Sequence, residues 1–154
     1  MNGQRSHTTQ LFLIGIAVVG LAIDAYVHLD LASAFEHVKT STLSQADLFR
    51  VEAVAAIVAA VALLLRPRRY TAAFAALVAA AGTVAVVLYR YVDVGAIGPI
   101  PNMYDPYWQP TGKWVSALAE AVAAIAAVAL FVIYDRRARG ARTRPVEAAE
   151  PSRR

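Results

Sequence analysis

Apolar positions in this chain fall into four long blocks separated by short polar stretches: about 11–33, 47–65, 70–92 and 114–134. Each block matches the roughly 20 residues that an α-helix needs to cross a hydrocarbon core of about 30 Å. Lipid offers no partner for backbone N–H and C=O groups, so segments that span it satisfy those groups internally. The blocks are therefore predicted to be helices, which their Ala, Val and Leu content suits. No block alternates apolar and polar residues with period two, which argues against a β-barrel. The fold class read from the pattern is all-α: a polytopic membrane protein with one four-transmembrane-helix bundle over residues 1–135 and a basic tail at 136–154.

Composition agrees with the pattern and narrows the chemistry. At 58% hydrophobic and 17% charged, a chain of 154 residues is too apolar for a soluble domain. Arg5, the apolar run Leu11–Ile23 and the small residues Ala32-Ser33-Ala34 together resemble a secretory signal with its cleavage site. The stretch from Asp24 to Ala34 is too long and too charged for a cleavage region, so the segment reads as an uncleaved first span. The chain has no cysteine, which removes disulfides, thiol catalysis and CxxC motifs.

Charge sets the expected orientation. Arg5, the Arg66/Arg68/Arg69 cluster and the seven arginines from Arg136 to Arg154 belong to the two tails and the middle loop. Lys39, Arg50, Arg90 and Lys113 belong to the other two loops or the span ends beside them. The positive-inside rule then places both termini in the cytoplasm of a multi-pass plasma-membrane protein. The tail from residue 136 mixes Arg, Pro, Glu, Ala and Ser, a composition that predicts disorder, and it can meet anionic headgroups. Basic flanks of this kind account for the high isoelectric point, so no nucleic-acid partner is expected.

The acids divide the other way. With 1.5 Å of rise per residue, Asp24 lies roughly 13 Å below the outer end of span 1, and His28 roughly 7 Å. Glu52 in span 2 and Glu120 in span 4 lie roughly 8 and 9 Å deep, and Arg90 closes span 3. All four spans thus contribute ionisable groups at similar outer depths, while their inner halves contain none. Asp24 and His28 are i, i+4 and share a face. Lys113, Ser116 and Glu120 form one stripe, Gln45, Leu48 and Glu52 another, and Thr83 with Arg90 a third. Asp30 falls about 120° from Asp24, in the headgroup zone. Charges cost about 2.5–3.5 kcal/mol each at a bilayer centre on insertion scales, and less toward the interface. An outward-opening ligand pocket containing Asp24, His28, Glu52, Arg90 and Glu120 is therefore expected. The plainer alternative is a structural network: Asp24 neutralising His28, and Arg90 pairing with Asp93 or reaching the headgroups.

His28 with Asp24, Glu52 and Glu120 could hold a divalent metal such as Zn, Mn or Fe(II). No HExxH or ExxH motif accompanies them. A bis-His haem is disfavoured, because His7 and His37 lie outside the spans. No nucleophile motif marks an enzyme, and the apolar inner half argues against a continuous ion path. Between spans 1 and 2, FEHVK (35–39) is a candidate interfacial helix, and Ser44 with Asp47 a capping pair. The loop from Val92 to Lys113 is rich in Gly and Pro and carries Tyr104, Tyr107 and Trp108. It reads as an ordered cap over residues 93–113, serving as a lid or a membrane-interface anchor. The inner loop RPRR makes spans 2 and 3 antiparallel neighbours.

The segments VHLDLA (Val27–Ala32) and LFRVEAVAA (Leu48–Ala56) resemble a loose group of small four-span bacterial membrane proteins of actinobacterial type and unassigned function. In that group a His-Leu precedes an LF-x-x-[QE]-A segment. The resemblance covers mainly spans 1 and 2, maps to His28, Leu29, Leu48, Phe49, Glu52 and Ala53, and implies no activity. Small size, Ala-rich faces and the lack of a motif favour a non-catalytic subunit or assembly partner of a larger membrane complex. The polar layer favours the alternative, a cation- or small-ligand-binding protein acting from the extracytoplasmic face. The partners expected are the bilayer and either other membrane proteins or further copies of the chain.

Overall fold

A computed structural model of the protein describes residues 2–142; the remainder of the expected tail lies outside the described residues. The chain folds into α1 (Asn2–Ala32), a 3-10 turn (Ser33–Phe35), α2 (Gln45–Leu65), α3 (Arg69–Tyr91) and α4 (Gly112–Arg142). All four helices are long and apolar enough to cross a membrane, and no strand occurs among the described residues. The chain is thus a multi-pass, all-α membrane protein.

The helices pack in a ring, α1 against α4 and α2, α3 against α4, and α2 less extensively against α3. Buried positions recur at intervals of three and four, the spacing that keeps one helix face toward its neighbours. They are Ile14, Ala17, Leu21 and Asp24 on α1; Ala53, Ala56, Ala60 and Leu63 on α2; Ala72, Ala75, Ala79 and Gly82 on α3. On α4 they are Ser116, Glu120, Ala123, Ala127 and Leu130. The core stripe is built of small residues, and the large apolar ones point outward: Val51, Leu65, Leu77, Val84, Leu118 and Ile125 are all more than half exposed. Water would penalise such a surface, whereas lipid tails solvate it and leave close packing of small residues to hold the helices together. The α1–α4 seam illustrates this. A Cβ on Gly20 would stand 2.7 Å from the Ala119 carbonyl oxygen and 2.8 Å from the Ala123 Cβ.

The ends of the helices are tied by short-range chemistry. Ser44 and Asp47 form a reciprocal capping box on α2, with Asp47 N–H donating to Ser44 Oγ (3.1 Å) and Ser44 N–H to Asp47 Oδ2 (3.0 Å). Pro67 lacks an N–H and follows the last residue of the α2 ladder, Arg66, whose N–H reaches the Ala62 carbonyl. Thr71 then closes the RPRR turn by donating to the Arg66 carbonyl (2.7 Å) and accepting from the Arg68 N–H (3.0 Å). At this end Asp135 pairs with Arg139 (2.7 Å) and Arg69 (3.6 Å), and Arg137 donates to Gln10 (3.1 Å).

Several boundaries differ from the sequence reading. α1 starts at Asn2 rather than near residue 11, its first turns being polar but continuous with an apolar helix. α4 continues to Arg142, so residues 136–142 are helical where a disordered tail was expected. Ala and Arg are strong helix formers, and the Asp135–Arg139 pair is i, i+4. FEHVK is not a helix. Only Phe35 is in the 3-10 turn, because Thr40 organises the rest of the connection to α2: its Oγ1 accepts from the Leu43 N–H (3.2 Å) and donates to the Pro99 carbonyl (2.8 Å). That last bond joins the two loops at one end of the bundle, here termed the cap end. The opposite end, with both tails, is the tail end.

Candidate functional site

The polar residues of the cap end converge. Asp24 (0% exposed) and Glu120 (1%) stand on the core stripes of α1 and α4, bridged by Ser116 of α4. The Ser116 hydroxyl lies 2.8 Å from Asp24 Oδ1 and 3.0 Å from Glu120 Oε1. On the other side of Asp24, His28 Nδ1 lies 2.7 Å from the same Oδ1. The hydroxyl has one hydrogen and two carboxyl oxygens to serve. It donates to one, and the other contact is a hydrogen bond only if that carboxyl carries a proton. Ser, His and Asp are all present, yet Ser116 contacts carboxyl groups rather than His28, so the arrangement is not a nucleophile–base–orienter relay.

α3 makes room for this cluster at Gly82. A Cβ there would stand 2.8 Å from both Cδ and Oε2 of Glu120, so the glycine lets the carboxyl lie against the α3 backbone. Beyond Gly82 the loosely joined α2 and α3 enclose a cavity of about 290 Å³. His28, Glu52, Arg90, Ser116 and Glu120 line it, so all four helices contribute, among apolar walls that include Leu31, Leu48, Phe49 and Val86. Asp24 is packed behind His28, Ser116 and Glu120 and does not line it. The His28 ring meets Phe49 edge-on at 5.1 Å between centroids.

The loop 93–113 closes over this cavity. Gly95 and Gly98 have positive φ (67° and 58°), and Ile97 and Ile100 bond each other across the turn that Gly98 permits. Asp93 accepts from the Gly95 N–H and the Asn102 amide, which leaves it engaged within the loop and not with Arg90. The Asp105 N–H donates to the Tyr89 carbonyl (3.0 Å), and the Asp105 carboxylate pairs with Lys113 at the start of α4. These bonds bring Met103, Asp105, Tyr107 and Trp108 over the cavity. The Arg90 guanidinium sits 5.4 Å from the Trp108 ring centre and 5.1 Å from that of Tyr91, within cation–π range.

Four buried polar atoms here have no hydrogen-bond partner among the described residues: Asp24 Oδ2, Glu52 Oε1, Glu120 Oε2 and Arg90 Nε. Each such atom costs about 1–3 kcal/mol if it stays unpaired. One imidazole nitrogen of His28 and one oxygen each of Asp24 and Glu120 lie within 4.8 Å of one another. Glu52 is outside that set but lines the same cavity.

Of the residues singled out in the sequence, His28, Glu52, Arg90, Glu120, Tyr107 and Trp108 line the cavity, and Asp24 backs it. Tyr104 does not; it is 39% exposed on the loop. Thr83 does not either. Its hydroxyl bonds back to the Ala79 carbonyl (2.8 Å), and α3 instead presents Gly82, Val86 and Tyr89. Asp30 is exposed and apart. Sequence reasoning placed Ser116 on a shared stripe without giving it a role, and it missed Gly82 and the Lys113–Asp105 pair. Comparison with protein-family models, curated proteins and solved structures finds no match to this chain. Of the positions that carry the four-span resemblance, His28, Leu48, Phe49 and Glu52 line the cavity, while Leu29 and Ala53 do not.

Proposed function

We propose that this protein is a plasma-membrane binding protein that takes a small ligand from the extracytoplasmic side into the cavity at its cap end. The observation that carries the reading is the convergence of four helices and the cap loop on one cavity of about 290 Å³ bearing unpartnered buried oxygens of Glu52 and Glu120 and the unpartnered Nε of Arg90. Its apolar walls suit a compact molecule with an apolar body. Arg90 on one side, and Glu52, His28 and Glu120 on the other, would fix polar groups at its ends. Arginines concentrated at the tail end support a cytoplasmic position for that end and an outward-facing cap. Among the described residues no surface feature singles out a protein partner over lipid. The role expected from composition, an accessory subunit of a larger complex, therefore stands second.

Because the chain has no cysteine, single cysteines report access cleanly. In intact cells a membrane-impermeant thiol reagent should label Ala85→Cys in the cavity wall and Ser33→Cys at the exposed cap end, but not Ala59→Cys in the buried core. In native mass spectrometry from lipid nanodiscs, the wild-type chain should retain a small molecule that the cavity-filling Ala85→Trp loses. Labelling of Ser33→Cys alone, with no retained molecule, would refute the binding reading. Labelling of neither cap-end cysteine would reverse the orientation.

A further inference from the structure

We propose that Asp24, His28 and Glu120 bind one divalent transition-metal ion, of the Zn, Mn or Fe(II) class, at the floor of the cavity. The inference rests on the reading of that cavity as a binding site and names the chemistry of its deepest part. Three observations support it independently. One donor atom from each residue lies within 4.8 Å of the others, a spacing that small side-chain shifts convert into a single coordination sphere. Asp24 and Glu120 are 0% and 1% exposed, yet each keeps one carboxyl oxygen without a partner among the described residues, and Glu120 faces the cavity. Gly82 lacks the side chain that would press on the Glu120 carboxyl, which lets that group lie against the α3 backbone beside Asp24 and Ser116.

The donor set narrows the metal. One imidazole with two carboxylates suits borderline or moderately hard cations and has no thiolate to favour Cu(I). Three protein ligands would leave a further coordination position for a ligand or water, and two of the three, His28 and Glu120, line the cavity. Two carboxylates and a neutral imidazole carry −2, which one divalent ion cancels. The other charges facing the cavity are Glu52, Arg90 and the Lys113–Asp105 pair, which cancel among themselves and leave this balance intact.

The test uses the full chain purified in mild detergent and Co²⁺ as a spectroscopic stand-in. Titration should give visible d–d bands saturating at one Co²⁺ per chain, displaced by Zn²⁺. Glu120→Gln, which keeps the shape of the side chain, and His28→Ala should each weaken binding at least about tenfold. Asp30→Asn, on the same helix as His28 but exposed and outside the cavity, should change it less than threefold. Absence of a stoichiometric d–d spectrum in the wild type overturns the proposal without any variant having to fold. Equal losses in Asp30→Asn and Glu120→Gln overturn the assignment of ligands. Native mass spectrometry of the same sample separates the two levels: a retained small molecule without metal refutes the metal site alone, and loss of both refutes the cavity reading as well.

Discussion

The two halves of this bundle use the same helices and the same core stripe, and they differ in what stands on it. In the tail half the stripe is Ala59, Ala60, Leu63, Ala72, Ala75, Ala127 and Leu130, nearly all fully buried, with charges confined to the rim in the Asp135 pairs. In the cap half the stripe continues as Asp24, Ser116 and Glu120, and α2 and α3 enclose a cavity. Close packing of small residues therefore supplies the rigidity in one half, and the other half can hold polar groups and open volume. A site keeps its geometry only if its supporting elements are fixed, and here the support lies two to three helical turns below.

The sharpest way to break this contrast is to put a carboxylate where the tail half has none. Leu130→Asp, ten residues along α4 from Glu120, removes a fully buried leucine and leaves a charge with no partner. Truncating a buried leucine costs about 2–5 kcal/mol, and the unpaired charge adds to it. The variant is expected to lose the folded bundle in a dodecyl sulfate unfolding titration. If it unfolds like the wild type, the tail half is not the rigid half. Next in size is Gly20→Ala. Its Cβ would press on the Ala119 backbone oxygen at 2.7 Å, so α1 and α4 must separate. Overpacking of this kind costs about 1–3 kcal/mol, and the same titration should show it.

The contrast was partly legible in the sequence, and the reasons divide by residue. The spans were readable because lipid imposes length and apolarity on every helix, and the four blocks met both conditions. Depth counting found Asp24, His28, Glu52, Arg90 and Glu120 because charges at similar depth on different spans are too costly to scatter. It could not separate Asp24, packed behind the cavity, from Glu120, which faces it, since depth fixes height and not direction. Gly82 was invisible because one glycine among alanines gives no signal until the neighbouring helix is placed. Thr83 shares a stripe with Arg90 by spacing, but spacing does not show that its hydroxyl bonds its own helix, an option local to the backbone. The ends of α1 and α4 extended further than the apolar blocks because helix propagation does not stop where hydrophobicity does.

Gly82→Ala offers a finer test, since it adds the same methyl as Gly20→Ala but against a side chain. The nearest atoms in its way belong to the Glu120 carboxyl, at 2.8 Å, and that group can swing aside. Helix propensity gains about 1 kcal/mol from Gly to Ala, which offsets much of the crowding. Stability should stay within about 1 kcal/mol of wild type, while Co²⁺ binding falls because Glu120 no longer lies beside Asp24. A Gly82→Ala protein that loses stability as Gly20→Ala does would mean the cap half is packed as rigidly as the tail half.

Arg90→Gln is expected to have the smallest effect on folding. Among the described residues Arg90 makes no ion pair, its Nε is buried without a partner, and its contacts are the faces of Tyr91 and Trp108. Removing those contacts costs about 0.5–1 kcal/mol each at a partly exposed site. Removing an unpartnered buried N–H returns about 1–3 kcal/mol. The two nearly cancel, so the unfolding midpoint should move little in either direction. Retention of the small molecule in native mass spectrometry should fall, because the cavity would lose the guanidinium proposed to hold one end of it. A large loss of stability with retention unchanged would reassign Arg90 to holding the cap loop on the bundle, and would leave the ligand's polar contacts to the acidic floor and the Lys113–Asp105 pair.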